Sequence, residues 1–366
     1  MNLLDLPILA LASIVWSAAP PEPESVLEVP PALLEQVREA VTERAQSPER
    51  RLELLTDFVA KSDHFGFRYR ADATYTVEQT FSTREGNCLA YTLLFLSVSR
   101  ELGLDSHARE VSIPPSWQDE GRVVFDVGHV NVGVDTPSRH RTVDFEPDLL
   151  RSQLLAAPWR GREISDQRAL AHFYNNRAAE LLADGHVAVA GLWAKRALSL
   201  DATFFPAINT LGVIERRLGR LDTSRDRFES ALAVNPEAAS VLFNLISLAE
   251  QSGNTADAAR HRARLQSLHP DDPWFQWQLG RYYSRQGKVS DALTHYRRAF
   301  ELDRRQARFA ETLIDLLESM DRPGEADRIR GRSAQHHRLA EDRSSVPRID
   351  KAAVGQARVK GAALKD

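Results

Sequence analysis

The chain contains one cysteine, and its sequence context is typical of a nucleophile. Cys88 follows Gly86 and Asn87 and opens a long apolar segment, CLAYTLLFLSVSREL, which we expect to be a helix that stops at Gly103. Unpaired N–H groups in the first turn of a helix stabilise an anion, so they would favour a thiolate at this position. We therefore predict a reactive thiol, with an inert buried cysteine as the alternative.

Two polar residues on predicted strands could supply the base and the acceptor that a nucleophilic thiol needs. In the segment GHVNVGV, His129 points away from the face that the valines share, because strand side chains alternate. In the segment TVDF, Asp144 points away from Val143 and Phe145. If the valines and Phe145 share the core, His129 and Asp144 share the opposite face of adjacent strands. That arrangement predicts a Cys-His-Asp triad.

The acidic and the oxyanion-stabilising members of this site have alternatives. Other carboxylates close in sequence stay open for the acidic role: Asp126, Asp135 and Glu146. The last of these shares the strand face of Asp144. The backbone N–H of Cys88 would be one oxyanion donor, and Gln79 is a candidate for the second.

The sequence predicts no metal site and no cofactor. No His, Asp and Glu cluster shows the spacing of metal ligands, and a single cysteine excludes both an internal disulfide and a zinc site built mainly from thiolates. We interpret His64, His107 and His140 as surface or loop residues.

Helices and strands that would position these residues lie between 32 and 165. We expect two helices before the cysteine (32–45 and 48–60) and three strands after its helix (107–113, 122–134 and 142–145). A Pro- and Glu-rich linker, 20–31, precedes them. Helices followed by a mainly antiparallel sheet indicate an α+β domain.

The second half of the chain, 166–338, repeats every 34 residues. Four units begin at 171, 205, 239 and 273, and a degenerate fifth unit from 307 caps the array. Residues at the eighth and twentieth positions of the units are mostly small: Ala178, Gly212, Ile246 and Gly280, then Ala190, Ser224, Ala258 and Ala292. This pattern resembles the tetratricopeptide repeat, in which small residues let two antiparallel helices approach. The resemblance implies an all-α superhelix with a concave groove for a protein or peptide partner.

The two ends of the chain differ in character. The apolar run LPILALASIVW, followed by Ser17-Ala18-Ala19, predicts a signal peptide over 1–19 and a periplasmic or secreted protein; a frayed apolar helix on a cytoplasmic protein is the alternative. The run is too short to span a bilayer, and no other segment could. The tail, 339–366, is basic and reads as disordered.

Length and charge limit the remaining classes. With 366 residues we expect about two domains. A net charge of −4 gives no electrostatic reason to expect a nucleic-acid partner.

The segment FSTREGNCLAYTLLFLSVSRELGLDSHAREV resembles the transglutaminase-like superfamily, whose domain has a papain-like fold. The resemblance rests on a Cys after R-x-G-N, a His on a strand about 40 residues later and an Asp in the following strand. Two further segments fit bacterial members with tetratricopeptide repeats: Ile113-Pro114-Pro115-Ser116-Trp117, and Ile164-Ser165-Asp166 leading into Tyr174-Asn175-Asn176. The resemblance implies that Cys88 is the nucleophile, His129 the base and then the acid, and Asp144 the orienting residue.

Three functions follow as expectations. The first is a thiol-dependent amide-bond enzyme, a transglutaminase-like peptidase or amidase, with a repeat array that binds a protein or peptide. The alternative is a catalytically silent scaffold that acts through the repeats. The third is a true protein transglutaminase, against which Val130-Asn131-Val132 argues, since many active members have Ala-Trp after the His. The sequence leaves substrate, partner and oligomeric state open.

Overall fold

The computed structural model describes residues 19–60, 65–111, 117–120, 123–126, 129–144 and 161–344. The predicted signal peptide falls almost entirely outside these residues, as do His64, Phe145, Glu146 and most of the basic tail. The described residues form two compact units, one up to Leu268 and one from His269. Among the described helices, none has both the length and the apolar character that a bilayer-spanning helix needs.

In the described part of the chain up to Glu101, the α-helices are α1 (Pro23–Leu27), α2 (Pro31–Val37), α3 (Pro48–Ala60), α4 (Val77–Thr83) and α5 (Cys88–Glu101). A π-helical stretch, Arg38–Thr42, continues α2, so the predicted helix 32–45 is helical but not regular. Helix α5 begins at Cys88 because the Asn87 side chain accepts hydrogen bonds from the N–H groups of Leu89 and Ala90.

Within the described residues, eight strands form three small sheets: β1 (Arg68–Tyr69), β2 (Glu85–Gly86), β3 (Asp105–Val111), β4 (Trp117–Glu120), β5 (Val123–Asp126), β6 (His129–Asp135), β7 (His140–Val143) and β8 (Gly161–Ile164). The main sheet has the order β7-β6-β3-β8, and its pairs are antiparallel. A single strand over 122–134 is a wrong prediction: β5 pairs with β4 in a separate hairpin. The valine-rich pattern runs through both strands and hides the change of partner.

The apolar face of the main sheet is set by side-chain alternation. Val130, Val132 and Val134 are all buried, and Val132 lies opposite Val143 in the register of β6 and β7. Helix α5 packs against β3 and β6, and the Thr92 hydroxyl donates a 2.8 Å hydrogen bond to the Val130 carbonyl. Helix α5 and the antiparallel sheet that it packs against form an α+β arrangement, as predicted.

Between 161 and 344, ten helices follow the sheet: α6 (Asp166–Ala183), α7 (Val187–Leu200), α8 (Phe205–Arg217), α9 (Leu221–Val234), α10 (Ala239–Gln251), α11 (Thr255–Ser267), α12 (Pro273–Arg285), α13 (Val289–Leu302), α14 (Ala307–Ser319) and α15 (Pro323–Ser344). They form five helix pairs that match the predicted units. The small residues lie where the two helices of a pair touch. Gly212 of α8 faces the buried Phe228 ring of α9, and Gly280 faces Tyr296 in the same way.

Helices α8 and α10, the first helices of two successive repeats, are buried on nearly all sides. A helix can be buried all round only if other elements cover every face. Strand β5 lies against both helices, so the β4–β5 hairpin supplies part of that cover. Between the two helices the Asn244 amide donates a 2.9 Å hydrogen bond to the Asn209 carbonyl oxygen.

The small residues of the repeats predict a contrast between two Gly→Ala variants. In Gly212→Ala the new Cβ would lie 2.5 Å from the Phe228 ring, which is fully buried and cannot move aside. We expect this variant to lose about 1–3 kcal/mol of unfolding free energy. In Gly191→Ala the Cβ meets nothing within 4 Å, so the variant should gain about 0.5–1 kcal/mol. Urea denaturation measures both, and equal effects would contradict the packing.

Candidate functional site

A series of buried hydrogen bonds holds the backbone next to Cys88. Besides capping α5, Asn87 donates from its amide to the Thr74 hydroxyl over 2.7 Å. The Thr74 hydroxyl in turn donates to Glu180 of α6 over 2.6 Å, and the backbone N–H of Thr74 donates to the same carboxylate. The start of α5, where Cys88 lies partly exposed, is therefore tied to the first repeat helix.

Glu180 is itself paired with Arg177, one turn earlier on α6. Burial raises the pKa of Glu180 and lowers that of Arg177, while the charge of each partner acts in the opposite direction. A buried carboxylate needs such partners to stay charged. The contact between Glu180 and Thr74 joins residues 106 positions apart, and sequence reasoning missed it because no local pattern signals it.

The predicted base of the triad, His129, and the predicted orienting residue, Asp144, lie in contact. The Nε2 atom of His129 is 2.7 Å from Oδ2 of Asp144, which follows β7. Asn131, two residues along the same strand face, donates from Nδ2 to the same Asp144 oxygen over 3.0 Å. His129, Asn131 and Asp144 thus share one face of the sheet, as side-chain alternation predicts. The bond between Asn131 and Asp144 was not predicted, although alternation puts Asn131 on the face of His129.

The ionisation of His129 reflects both Asp144 and Cys88. The imidazole is only 1% exposed, and this burial lowers its pKa. Hydrogen bonds with Asp144 and with Cys88, together with the negative charges there, outweigh burial and raise the pKa of His129 from 6.5 to about 10. Since Asp144 takes Nε2, Nδ1 is the nitrogen left for the thiol. A protonated imidazole beside a sulfur stabilises a thiolate.

Gln79 has a structural role at the start of α4. The Gln79 carboxamide oxygen accepts a 3.0 Å hydrogen bond from the backbone N–H of Thr76, and the backbone N–H of Gln79 donates to the Thr76 hydroxyl over 3.2 Å. These two bonds form a capping box. The Gln79 side chain is therefore held by its cap, and a role as oxyanion donor stays a prediction.

The alternative carboxylates fall elsewhere. Asp135 ends β6, six residues from His129, and Asp126 ends β5 in the hairpin. Glu146 lies outside the described residues.

A second polar group lies at the other end of the same sheet face. His107 of β3, Asp135 of β6 and His140 of β7 bring one ligand atom each within 4.8 Å of one another. His140 is exposed and His107 is half-buried, and both lie on strands rather than in loops. The sequence spacing gave no signal because each residue comes from a different strand.

The family comparison finds a match within the repeats. A family model described as tetratricopeptide repeat matches residues 209–273. No curated protein sequence matches the chain. The chain therefore contains tetratricopeptide repeats, as predicted. The transglutaminase-like resemblance of 32–165 has no such support and stays a prediction.

Solved structures of repeat proteins are similar to about half of the chain. YrrB, described as a TPR protein with an unusual peptide-binding site, is 19% identical, with 45% of this chain and 85% of that chain covered and a TM-score of 0.26. Pseudomonas aeruginosa PilF is 20% identical over 47% and 78%, with a TM-score of 0.32. MamA from Desulfovibrio magneticus RS-1 is 15% identical over 50% and 99%, with a TM-score of 0.28.

The raised pKa of His129 predicts a pH-dependent contribution to stability. Because the folded pKa lies above the ordinary one, this contribution is complete below about pH 6.5 and is lost as the pH rises through about 10. The difference in unfolding free energy between the wild type and His129→Gln should therefore shrink over that range. Urea denaturation at several pH values measures it.

His186→Gln is the control, because that side chain is exposed and makes no capping hydrogen bond. An equal decline in the control, or no decline for His129→Gln, would contradict the ion-paired imidazole.

Proposed function

We propose that this chain is a protein- or peptide-binding scaffold that acts through its tetratricopeptide repeats. The observation that carries this proposal is the set of in-register helix pairs whose repeat family is matched over 209–273. Such arrays typically present extended surfaces to protein partners.

The unit from His269 offers the more suitable surface. In this unit α12 and α14 are the first helices of the two helix pairs, and they contact each other through Trp277. The Trp277 indole N–H donates a 3.0 Å hydrogen bond to the Thr312 hydroxyl. Trp274 packs edge-on against Trp277 and against Phe309. In the other unit, by contrast, α8 and α10 are already covered on nearly all sides.

Two arginines flank this aromatic group. The guanidinium carbons of Arg281 and Arg308 lie 4.9 and 5.8 Å from the Trp277 ring centre. We define the Trp277 surface as Trp274, Arg281, Arg308 and Thr312, which are exposed or half-buried, together with the buried Trp277 beneath them. Tryptophan and arginine are the residue types that most often dominate binding energy at interfaces, and guanidinium groups bind carboxylates well. The proposed partner is therefore a peptide segment that carries acidic side chains.

The prediction is that a labelled acidic peptide binds the full chain more tightly than the same peptide with each acid replaced by its amide. Arg281→Ala combined with Arg308→Ala should weaken acidic-peptide binding by about tenfold or more, a loss of about 1.4 kcal/mol. Fluorescence anisotropy measures both affinities.

Arg328→Ala is the control, since Arg328 is exposed on α15 and is not one of the residues that define the Trp277 surface. Equal weakening by the control would point to non-specific charge attraction. Unchanged binding in the double variant would contradict the proposed surface.

A second candidate function is amide-bond chemistry at Cys88, and two findings favour it: His129 is hydrogen-bonded to Asp144, and Cys88 contributes to the raised pKa of His129. In the proposed reaction the Cys88 thiolate attacks an amide carbonyl. A C–S bond forms, the C–N bond breaks, and the amine leaves with the proton that His129 carried. Water then attacks the thioester and gives up a proton to His129, the C–S bond breaks, and a carboxylic acid and the Cys88 thiolate are released.

Alkylation by iodoacetamide at mildly acidic pH tests the activated thiol. If His129 stabilises the thiolate, Cys88 should react at least about tenfold faster than a free cysteine does at that pH. His129→Gln should remove this advantage, whereas His186→Gln should keep it. A wild-type rate equal to that of a free thiol would contradict the enzyme proposal and leave the scaffold proposal intact. For an active thiol, amine incorporation measured against hydrolysis would separate a transglutaminase from a hydrolase.

A further inference from the structure

We propose that His107, Asp135 and His140 form a binding site for a divalent transition-metal ion, with Zn²⁺ as the fitting ion. The three residues lie on adjacent strands of the main sheet, β3, β6 and β7. Register fixes their neighbourhood: Asp135 pairs directly with His140, and His107 pairs with Gly133, two residues before Asp135. All three side chains therefore project from one face of the sheet.

The distances between the ligand atoms suit one small ion. Nδ1 of His140 is 2.8 Å from Oδ1 of Asp135, and Nδ1 of His107 is 3.6 Å from Oδ2. In a tetrahedral zinc site with bonds of about 2.0–2.2 Å, the donor atoms lie about 3.3 Å apart. The two observed separations bracket this value, so a small movement of the carboxylate would complete the geometry.

The surroundings leave room for the ligands. A Cβ on Gly133 would lie 2.3 Å from Nε2 of His107, so the His107 ring occupies space that only glycine provides. Arg109, a buried cation on β3, donates to the Thr142 hydroxyl over 2.7 Å and to the Gly161 carbonyl over 3.2 Å. The His107 and His140 rings lie nearly parallel with centroids 5.7 Å apart.

The donor set selects the class of ion. Two imidazoles and one carboxylate suit zinc and its neighbours, whereas magnesium and calcium prefer oxygen ligands alone. Three protein ligands leave a fourth position, which a water or a ligand group would take. The carboxylate and His140 are half-exposed, with 49% and 37% of the side-chain surface accessible, so an ion can enter from solvent.

This site is separate from the cysteine and does not depend on its chemistry. Asp135 lies six residues along β6 from His129, which is about 20 Å at the rise of a strand. A bound ion would join three strands at the end of the sheet and stabilise the fold.

Zinc titration of the full chain by calorimetry tests the proposal. A Cys88→Ala background removes the thiol, which could bind zinc with His129 and obscure the result. We expect one equivalent of Zn²⁺ to bind and to raise the midpoint of thermal unfolding. His140→Gln changes an exposed position and should not impair folding. It should weaken zinc binding by more than about 100-fold, because the loss of even a residue that only contacts a metal ligand lowers metal affinity about 10–100-fold.

His336→Gln with His337→Gln is the control, because adjacent histidines near the tail offer an alternative zinc site. The control should keep the full equivalent. The visible spectrum of the Co²⁺-substituted chain gives a second readout, and His107→Gln should abolish it. Zinc binding that survives His140→Gln and His107→Gln, or that is lost in the control, would overturn the proposal, as would the absence of saturable binding.

Discussion

The structure up to Leu268 depends on buried charges that helix α6 contributes. Near its start, Arg168 and His172 bind Glu110 of β3; near its end, Glu180 binds Thr74. Burial alone would raise the pKa of Glu110, but hydrogen bonds from His172 and Arg168 lower it strongly, so the carboxylate stays charged. Removing one partner of a buried pair leaves an uncompensated charge, which is strongly destabilising. Helix α6 is thus fixed against the sheet.

This constraint gives one helix two structural roles. Helix α6 is the first helix of the first repeat and packs against α7. Through Glu180 and Thr74 it also holds Asn87, the residue that caps the helix of Cys88. The first three repeats therefore share a compact unit with the sheet and the cysteine. In this unit the repeats support the site, while the Trp277 surface belongs to the repeats that follow.

Local periodicity predicted much of the fold and part of the site. The 34-residue register predicted the helix pairs, and strand alternation predicted the meeting of His129 with Asp144. Strand alternation can be recognised within a few residues, and the helix pairs can be recognised because their pattern recurs at a fixed spacing. The remaining features join distant segments: Glu180 with Thr74, the three strands that carry His107, Asp135 and His140, and the hairpin that covers α8 and α10. A valine-rich run does not reveal where a strand changes its partner.

Amide hydrogen exchange at the start of α5 tests most directly whether α6 holds the helix of Cys88. Thr74→Val removes the hydroxyl that joins Glu180 to Asn87, and Thr74→Ser keeps it. The account predicts that the amides of Leu89 and Ala90, which donate to the Asn87 side chain, exchange faster in Thr74→Val and as in the wild type in Thr74→Ser. Unchanged protection of these two amides in Thr74→Val would contradict it.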